Sequence, residues 1–236
     1  MTKILFLLVL FVSNAIQAVT GFAGTVLAMP PSIHLLGMDT AKVVLNAMAL
    51  ISGFLIAVSG YKKINKKELI KIVLLMLIGM GCGMKICVLV SSDRILMLIY
   101  GICILFIAFQ NLFFPGRKNI PSWGLIFVLL LAGILHGMFV SGGALLVVYA
   151  AQVLKEKEEF RATVAPVWVI LNSMLLVTQC RQGLYTQENI LWILIGIPPL
   201  FLATWIGGKL VKKVSQKAFL QLTYILLIIS GISLIV

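Results

Sequence analysis

The chain has 236 residues, of which 61% are hydrophobic and 11% are charged, and its formal net charge is +12. Soluble domains contain about 25% charged residues, so this composition excludes a water-soluble globular protein. The Lys and Arg residues lie in short clusters between apolar runs, which argues against a nucleic-acid-binding surface and is typical of membrane topology signals. We therefore expect an all-α, multi-pass protein of the cytoplasmic (inner) membrane.

Apolar runs predict ten membrane segments. A helix of about 20 residues spans a hydrocarbon core of about 30 Å, and the second and seventh segments are too short to cross it unaided. Irregular backbone at membrane depth is tolerated only where protein or a water-filled cavity satisfies it. These two segments are therefore expected to face a polar interior. The ten segments are predicted at residues 4–20, 24–37, 41–60, 69–90, 95–114, 122–140, 143–154, 162–181, 189–208 and 218–236.

Glycine-rich breaks precede the two short segments. The first break contains Gly21 and Gly24, and its segment ends towards Pro30-Pro31; the second, 119 residues later, contains Gly142 and Gly143. Two interrupted hydrophobic segments at corresponding places in two halves indicate the substrate site of a secondary transporter. We therefore expect the broken segments to line a central site.

The two halves share a register that indicates an internal duplication. Residues 83–91 match residues 207–215 at an offset of 124, with Gly, Lys, Val and Ser recurring in place. Shared apolar character alone does not explain the recurrence of the polar residues. The predicted division is a first transmembrane repeat at 1–114, a cytoplasmic linker at 115–121 and a second transmembrane repeat at 122–236.

Basic residues predict the orientation of the repeats. If all ten segments cross, four loops on one side hold 14 of the 19 basic residues, and the positive-inside rule places that side in the cytoplasm. If the two short segments are re-entrant, the basic residues divide almost evenly between the two sides of the membrane. The positive-inside rule therefore favours ten crossings. Five crossings per half give inverted repeats. The 14 residues are Lys62, Lys63, Lys66, Lys67, Lys71, Arg117, Lys118, Lys155, Lys157, Arg161, Lys209, Lys212, Lys213 and Lys217.

The polar residues inside the predicted segments are neutral or potentially cationic. All seven acidic residues lie in predicted loops or at segment ends, whereas carriers of cations usually keep a carboxylate in the membrane. The expected partners are a small anionic substrate and the lipid bilayer. We find no catalytic constellation, metal-ligand spacing or cofactor motif, so an enzyme that uses His136 and Ser141 is the weaker alternative. An anion channel is the other alternative.

The breaks also suggest how an anion is held. A helix that restarts after Gly24 or Gly143 presents unpaired N–H groups, and such ends bind oxyanions. Gln17 and His136 occupy equivalent positions in the two halves and can donate hydrogen bonds, and Thr25 and Ser141 lie beside the breaks. The alternative is structural: the glycines permit close helix packing, and His136 is a packed hydrogen-bonding residue.

The stretch from Gly21 to Pro31, followed by Leu36-Gly37 and Ala41, recurs around Gly137–Gly143 and Arg161-Ala162-Thr163. Over residues 5–230 this pattern resembles the sulfite exporter TauE/SafE family. The resemblance implies transport of small anions, such as sulfite or organosulfonates, coupled to the proton gradient. It also implies that the motif glycines and polar residues bind substrate, namely Gly21, Gly24, Gly142, Gly143, Asn46 and Thr163. Ala23 and Thr25 depart from the usual glycines, and Val148-Tyr149 from the usual proline.

Overall fold

A computed structural model describes residues 2–90, 92–113 and 120–210, together with single positions at 221, 225, 228, 231, 232 and 235. The side chains of residues 93, 107 and 111 fall outside the description. Every regular element in these residues is a helix, apart from one 3₁₀ turn at Tyr61–Lys63. In chain order, the helices are α1 Thr2–Thr20, α2 Ala23–Leu36, α3 Met38–Gly60, α4 Lys66–Leu89, α5 Asp93–Phe113, α6 Ser122–Phe139, α7 Gly143–Val153, α8 Lys157–Arg181 and α9 Gln187–Leu210.

The helix bounds confirm the predicted all-α, multi-pass architecture. Six helices are long and apolar enough to cross a membrane: α1, α3, α4, α6, α8 and α9. Large apolar side chains such as Phe54, Ile78 and Trp205 are more than half exposed on the outside of the bundle, as expected for a surface that contacts lipid. The tenth predicted segment lies almost wholly outside the described residues, and the division into inverted repeats stays a prediction.

One predicted loop is corrected at the start of α8. The loop 155–161 was expected to be irregular, but α8 begins at Lys157 and includes Arg161. Glu158 and Glu159 occupy its first turn, where acidic side chains stabilise the positive end of the helix dipole. Arg161 therefore belongs to the bundle, where its side chain is half-buried.

The two short segments form short interior helices. Helix α2 has 14 residues and α7 has 11, so at about 1.5 Å per residue they span roughly 21 and 17 Å. Most of their residues are buried, including Gly24 in α2 and Tyr149 in α7. Both helices therefore lie largely within the bundle, and the expectation that they face a polar interior stays a prediction. Whether each of them crosses the membrane stays open.

Helices α4 and α6 run parallel in a close glycine seam. A Cβ atom added to Gly79 would lie 2.1 Å from the carbonyl oxygen of Leu130, and one added to Gly83 would lie 2.2 Å from that of Ile134. Glycines of α6 make the same approach to the backbone of α4 at Met76 and Met80. Such small-residue contacts let membrane helices pack through dispersion forces.

Helices α1 and α9 form a second parallel pair. The rings of Phe6 and Trp192 meet edge to face with centroids 5.3 Å apart. Further along, a Cβ atom on Gly207 would lie 2.5 Å from the carbonyl oxygen of Ala15. Each parallel pair joins one helix from each predicted half, which is the arrangement that an inverted duplication would produce.

Helices α3 and α8 are antiparallel and form the centre of the bundle. The end of α3 meets the start of α8 at Gly60 and Ala162, whereas the start of α3 reaches the end of α8 through Asn46 and Gln179. Lys62 and Lys63 follow α3 at the first of these ends, which we call the basic end. The other end, at the start of α3 and the end of α8, is the opposite end.

Candidate functional site

Three polar side chains from three helices form the central polar cluster: Asn46 of α3, His136 of α6 and Asn172 of α8. None is more than 1% exposed. The amide nitrogen of Asn46 donates to the backbone carbonyl of Asn172 at 3.2 Å. The imidazole of His136 faces the side chain of Asn172, although no pair of their atoms reaches hydrogen-bonding geometry. Two of these residues, Asn46 and His136, were predicted site residues.

Five polar atoms of this cluster have no hydrogen-bond partner among the described residues. They are Oδ1 of Asn46, both ring nitrogens of His136 and both amide atoms of Asn172. A buried polar group left unsatisfied costs about 1–3 kcal/mol, and native proteins contain few of them. Their concentration in one place indicates a position for a polar ligand or water.

Trp168 connects the cluster to the break between α1 and α2. Its ring lies against His136 with centroids 5.4 Å apart, and its Nε1 donates to the carbonyl of Gly21 at 2.8 Å. Gly21 has a φ angle of +85°, which glycine adopts readily and other residues rarely adopt. The sequence analysis did not single out Trp168, because an aromatic residue in an apolar helix carries no signal of its own.

Gln179 closes the cluster towards the opposite end. Its Oε1 accepts hydrogen bonds from the Asn46 amide at 2.9 Å and from the Tyr185 hydroxyl at 3.3 Å. Burial raises the pKa of Tyr185, so its hydroxyl keeps its proton and remains a donor at neutral pH. Gln179 and Asn172 are neutral polar residues of the eighth predicted segment, but sequence alone did not bring them together with Asn46 and His136.

The two glycine breaks pack against each other. A Cβ atom on Gly143 would lie 2.6 Å from the carbonyl oxygen of Phe22, and one on Gly142 would lie 3.0 Å from Cβ of His136. Gly24 lies against the side chain of Gln17. These contacts show the close packing that the structural interpretation of the glycines expects. Anion binding at the helix ends stays a prediction.

The start of α2 already has a capping group. The hydroxyl oxygen of Thr20 accepts hydrogen bonds from the backbone N–H groups of Phe22 and Ala23 at 3.4 and 3.3 Å. Both of these donors precede Gly24, so an anion site at the N–H groups that follow Gly24 stays a prediction.

Four predicted site side chains remain to be placed: Gln17, Thr25, Ser141 and Thr163. Gln17 is buried and donates to Ser52 at 2.8 Å, beside Gly24, while Thr25 is partly buried in α2. The hydroxyls of Ser141 and Thr163 are engaged elsewhere. Ser141 bonds to the Tyr100 hydroxyl at 2.5 Å, and Thr163 accepts from the backbone N–H of Asn65 at 3.0 Å near the start of α4.

A cleft opens at each end of the central helix pair. The basic cleft, at the basic end, has a volume of about 510 Å³ and the opposite cleft has a volume of about 310 Å³. Polar residues of the basic cleft are Ser59, Lys62, Lys63, Lys157, Glu158 and Arg161. Polar residues of the opposite cleft are Asp39, Lys42, Thr178, Gln179 and Gln182.

No described acidic side chain forms a hydrogen bond with the central polar cluster. Glu68 accepts a hydrogen bond from the Tyr149 hydroxyl at 2.6 Å, Glu158 pairs with Lys63, and Glu159 accepts from the Asn65 amide. Among the described residues no group of His, Cys, Asp and Glu could hold a metal ion. The polar centre therefore consists of amides and an imidazole.

The family model for sulfite exporter TauE/SafE matches residues 5–234. The chain belongs to this family. The resemblance carried by the glycine motifs is therefore confirmed, and this polytopic helical bundle is that of a family of membrane transporters.

One curated relative is the "Probable inner membrane transporter protein TsaS" of Comamonas testosteroni, which is 28% identical over 122 residues. The match covers 51% of this chain and 48% of the relative, about half of its length. No solved structure matches the chain.

Proposed function

We propose that this TauE/SafE family member is a secondary transporter that moves a small oxyanion, such as sulfite or an organosulfonate, across the inner membrane. The observation that carries the proposal is the central polar cluster, with five buried polar atoms that lack partners among the described residues. The name of the bacterial relative, a probable inner membrane transporter, supports the same membrane and the same class of function.

The chemistry of the cluster suits an oxyanion. The amide of Asn172 and a protonated ring nitrogen of His136 can donate hydrogen bonds to anionic oxygens. The carbonyl oxygens of Asn46 and Asn172 can accept from a protonated oxyanion such as hydrogensulfite. A bare cation would find fewer ligands here, because the described carboxylates lie elsewhere.

Proton coupling follows from the same groups. Imidazole is the side chain whose charge changes most readily near neutral pH, and His136 is the member of the cluster that can exchange a proton. The alternative proton carrier is the substrate itself, transported in its protonated form. In either case the proton travels through the site that binds the oxyanion.

The proposal is tested by counterflow in proteoliposomes that contain the purified protein. Sulfite, thiosulfate, methanesulfonate and acetate form the substrate panel, and protein-free liposomes are the control. We expect saturable exchange with at least one sulfur oxyanion and faster uptake under an imposed proton gradient. Flux that rises linearly with concentration and shows no counterflow would instead favour an anion channel, and chemical conversion of a substrate would favour an enzyme.

A further inference from the structure

The basic cleft carries an excess of positive charge at the surface of the bundle. Its lining includes Lys62, Lys63, Lys157 and Arg161, but Glu158 is its one acidic residue among the described residues. Lys63 is neutralised by an ion pair with Glu158. A concave surface of one charge sign raises the local concentration of ions of the opposite sign.

Arg161 differs from the surface lysines of this cleft. Its side chain is half-buried, and its Nε donates to the backbone carbonyl of Ala18 at 2.8 Å. Within the described part of the chain, its guanidinium has no carboxylate partner. The one acid whose side chain is not described, Asp93, begins α5, and residues 211–236 contain no acid.

An unpaired guanidinium that is partly withdrawn from water is costly unless an anion accompanies it. Arg presents a planar fork of N–H donors that matches two oxygens of an oxyanion. With Nε held by Ala18, the terminal amino groups are the donors that remain for a ligand. The geometry therefore favours an anion over a neutral solute.

The position of Arg161 also connects the basic cleft to the central polar cluster. A Cβ atom on Gly21 would lie 3.4 Å from Cα of Arg161, and the carbonyl of Gly21 accepts from Trp168, which packs against His136. A ligand held at Arg161 is thus separated from the cluster by one layer of residues. Lys63 and Glu158 lie at the more exposed rim.

We propose that the basic cleft is a loading site for a tetrahedral or pyramidal oxyanion, with Arg161 as its principal binding residue and Lys62 as an auxiliary cation. This inference rests on the proposed transport function, because a loading site has a role only if the anion then moves to the central polar cluster. A free anion and the phosphate of an acidic lipid headgroup share this chemistry, and the experiment separates the two sources.

The test measures protection of a thiol in the cleft of the full-length purified protein. Ser59 lines the basic cleft and is exposed, so Ser59→Cys in a variant without native cysteines provides a site for maleimide labelling. Sulfate is the soluble probe, and mixed micelles with phosphatidylglycerol are the lipid probe. We expect sulfate to slow labelling in a detergent that contains no acidic lipid.

Arg161→Gln should raise the sulfate concentration that gives half-protection by roughly tenfold or more, as loss of a charge-assisted hydrogen bond predicts. Lys67→Gln is the matched control, because Lys67 is exposed at the same end and lines neither cleft; it should change protection less than twofold. If Arg161→Gln fails to fold, Lys62→Gln should still weaken protection about two- to threefold.

Two results would overturn the proposal: no protection by either probe, or equal protection with and without Arg161. Protection by phosphatidylglycerol but not by sulfate would assign the oxyanion site to a lipid headgroup. Asn172→Leu, which should abolish transport, should leave the Arg161-dependent protection unchanged. Protein with native Asn172 that transports no oxyanion yet shows Arg161-dependent protection would contradict the proposed function and leave the anion site at Arg161 standing.

Discussion

The two clefts of this protein both border helices α3 and α8, but they differ in their charge. Both are built on the antiparallel pair α3 and α8, at its two ends. The basic cleft holds four cationic side chains and one acid, whereas the opposite cleft holds one of each, Lys42 and Asp39. The same pair of helices therefore borders two clefts with different net charges.

The predicted orientation offers a physical origin for this difference. Basic residues accumulate on the cytoplasmic side of membrane proteins, and the orientation predicted from the basic loops would place the basic cleft on that side. A cleft with that charge attracts anions over distances of about a Debye length, roughly 8 Å at physiological ionic strength. We therefore infer that the basic cleft collects anions and that the opposite cleft binds them weakly.

The largest effect is expected at the α4–α6 seam, which borders the opposite cleft. Gly83→Ala would place Cβ 2.2 Å from the carbonyl oxygen of Ile134, and such overpacking costs typically about 1–3 kcal/mol. We expect a lower melting temperature and reduced yield. Gly81→Ala is the matched control, because no atom lies within 4 Å of its added Cβ. Equal melting temperatures for the two variants would contradict this packing.

The next largest effect is expected between the clefts, at Asn172. Asn172→Leu removes two buried amide atoms that have no partner among the described residues and keeps a similar volume. Because unsatisfied buried groups are destabilising, the free energy of unfolding should stay the same or increase, while counterflow of every oxyanion is lost. Thermal unfolding and counterflow measure the two quantities. Loss of stability together with normal transport would show that Asn172 has a structural role.

The sequence predicted the fold better than it predicted the site. Hydropathy and glycine spacing located all nine described helices, including the two short ones, because membrane length and backbone satisfaction constrain them directly. Asn46 and His136 were predicted site residues, but their position beside Asn172 depends on how each helix is rotated about its own axis. In helices that are apolar on most faces, sequence periodicity does not fix that rotation.

Arg161 shows a second limit of the sequence. Its place at the end of a charged run predicted a solvated loop, yet α8 begins four residues earlier and draws its side chain into the bundle. Clusters of basic residues indicate on which side of the membrane a loop lies, but they do not indicate where a helix begins. Trp168 carried no signal, because its hydrogen bond to Gly21 and its ring contact with His136 join segments that are distant in the sequence.

A smaller effect is expected on the pH dependence of transport. His136→Gln keeps a hydrogen-bonding amide in the cluster but removes its one titratable side chain. We expect transport to vary less with pH in this variant than in the native protein, with little change in melting temperature. An unchanged pH profile in the folded variant would exclude His136 as the proton carrier and favour the protonated substrate.

The smallest effect is expected in the opposite cleft, where one substitution can make the two clefts more alike. Asp39 and Lys42 lie one helical turn apart at the start of α3, and both line this cleft. The Lys42 amine lies over the Phe139 ring at 5.9 Å and forms no ion pair with a described carboxylate. Asp39→Asn therefore gives the cleft a net positive charge without removing an ion pair among the described residues. For a thiol introduced by Thr178→Cys, this change should lower the sulfate concentration for half-protection about two- to threefold at low salt.

The salt dependence and a second acid decide whether this gain comes from the charge of the cleft. At about 1 M salt the Debye length falls to about 3 Å, so the effect of Asp39→Asn should disappear. Glu188→Gln removes an equal charge from the first turn of α9, and Glu188 does not line the cleft; it should leave protection unchanged. If Glu188→Gln acts as strongly as Asp39→Asn, anions respond to the net charge of the whole face. The difference between the clefts would then be one of membrane sides, with no local binding in either of them.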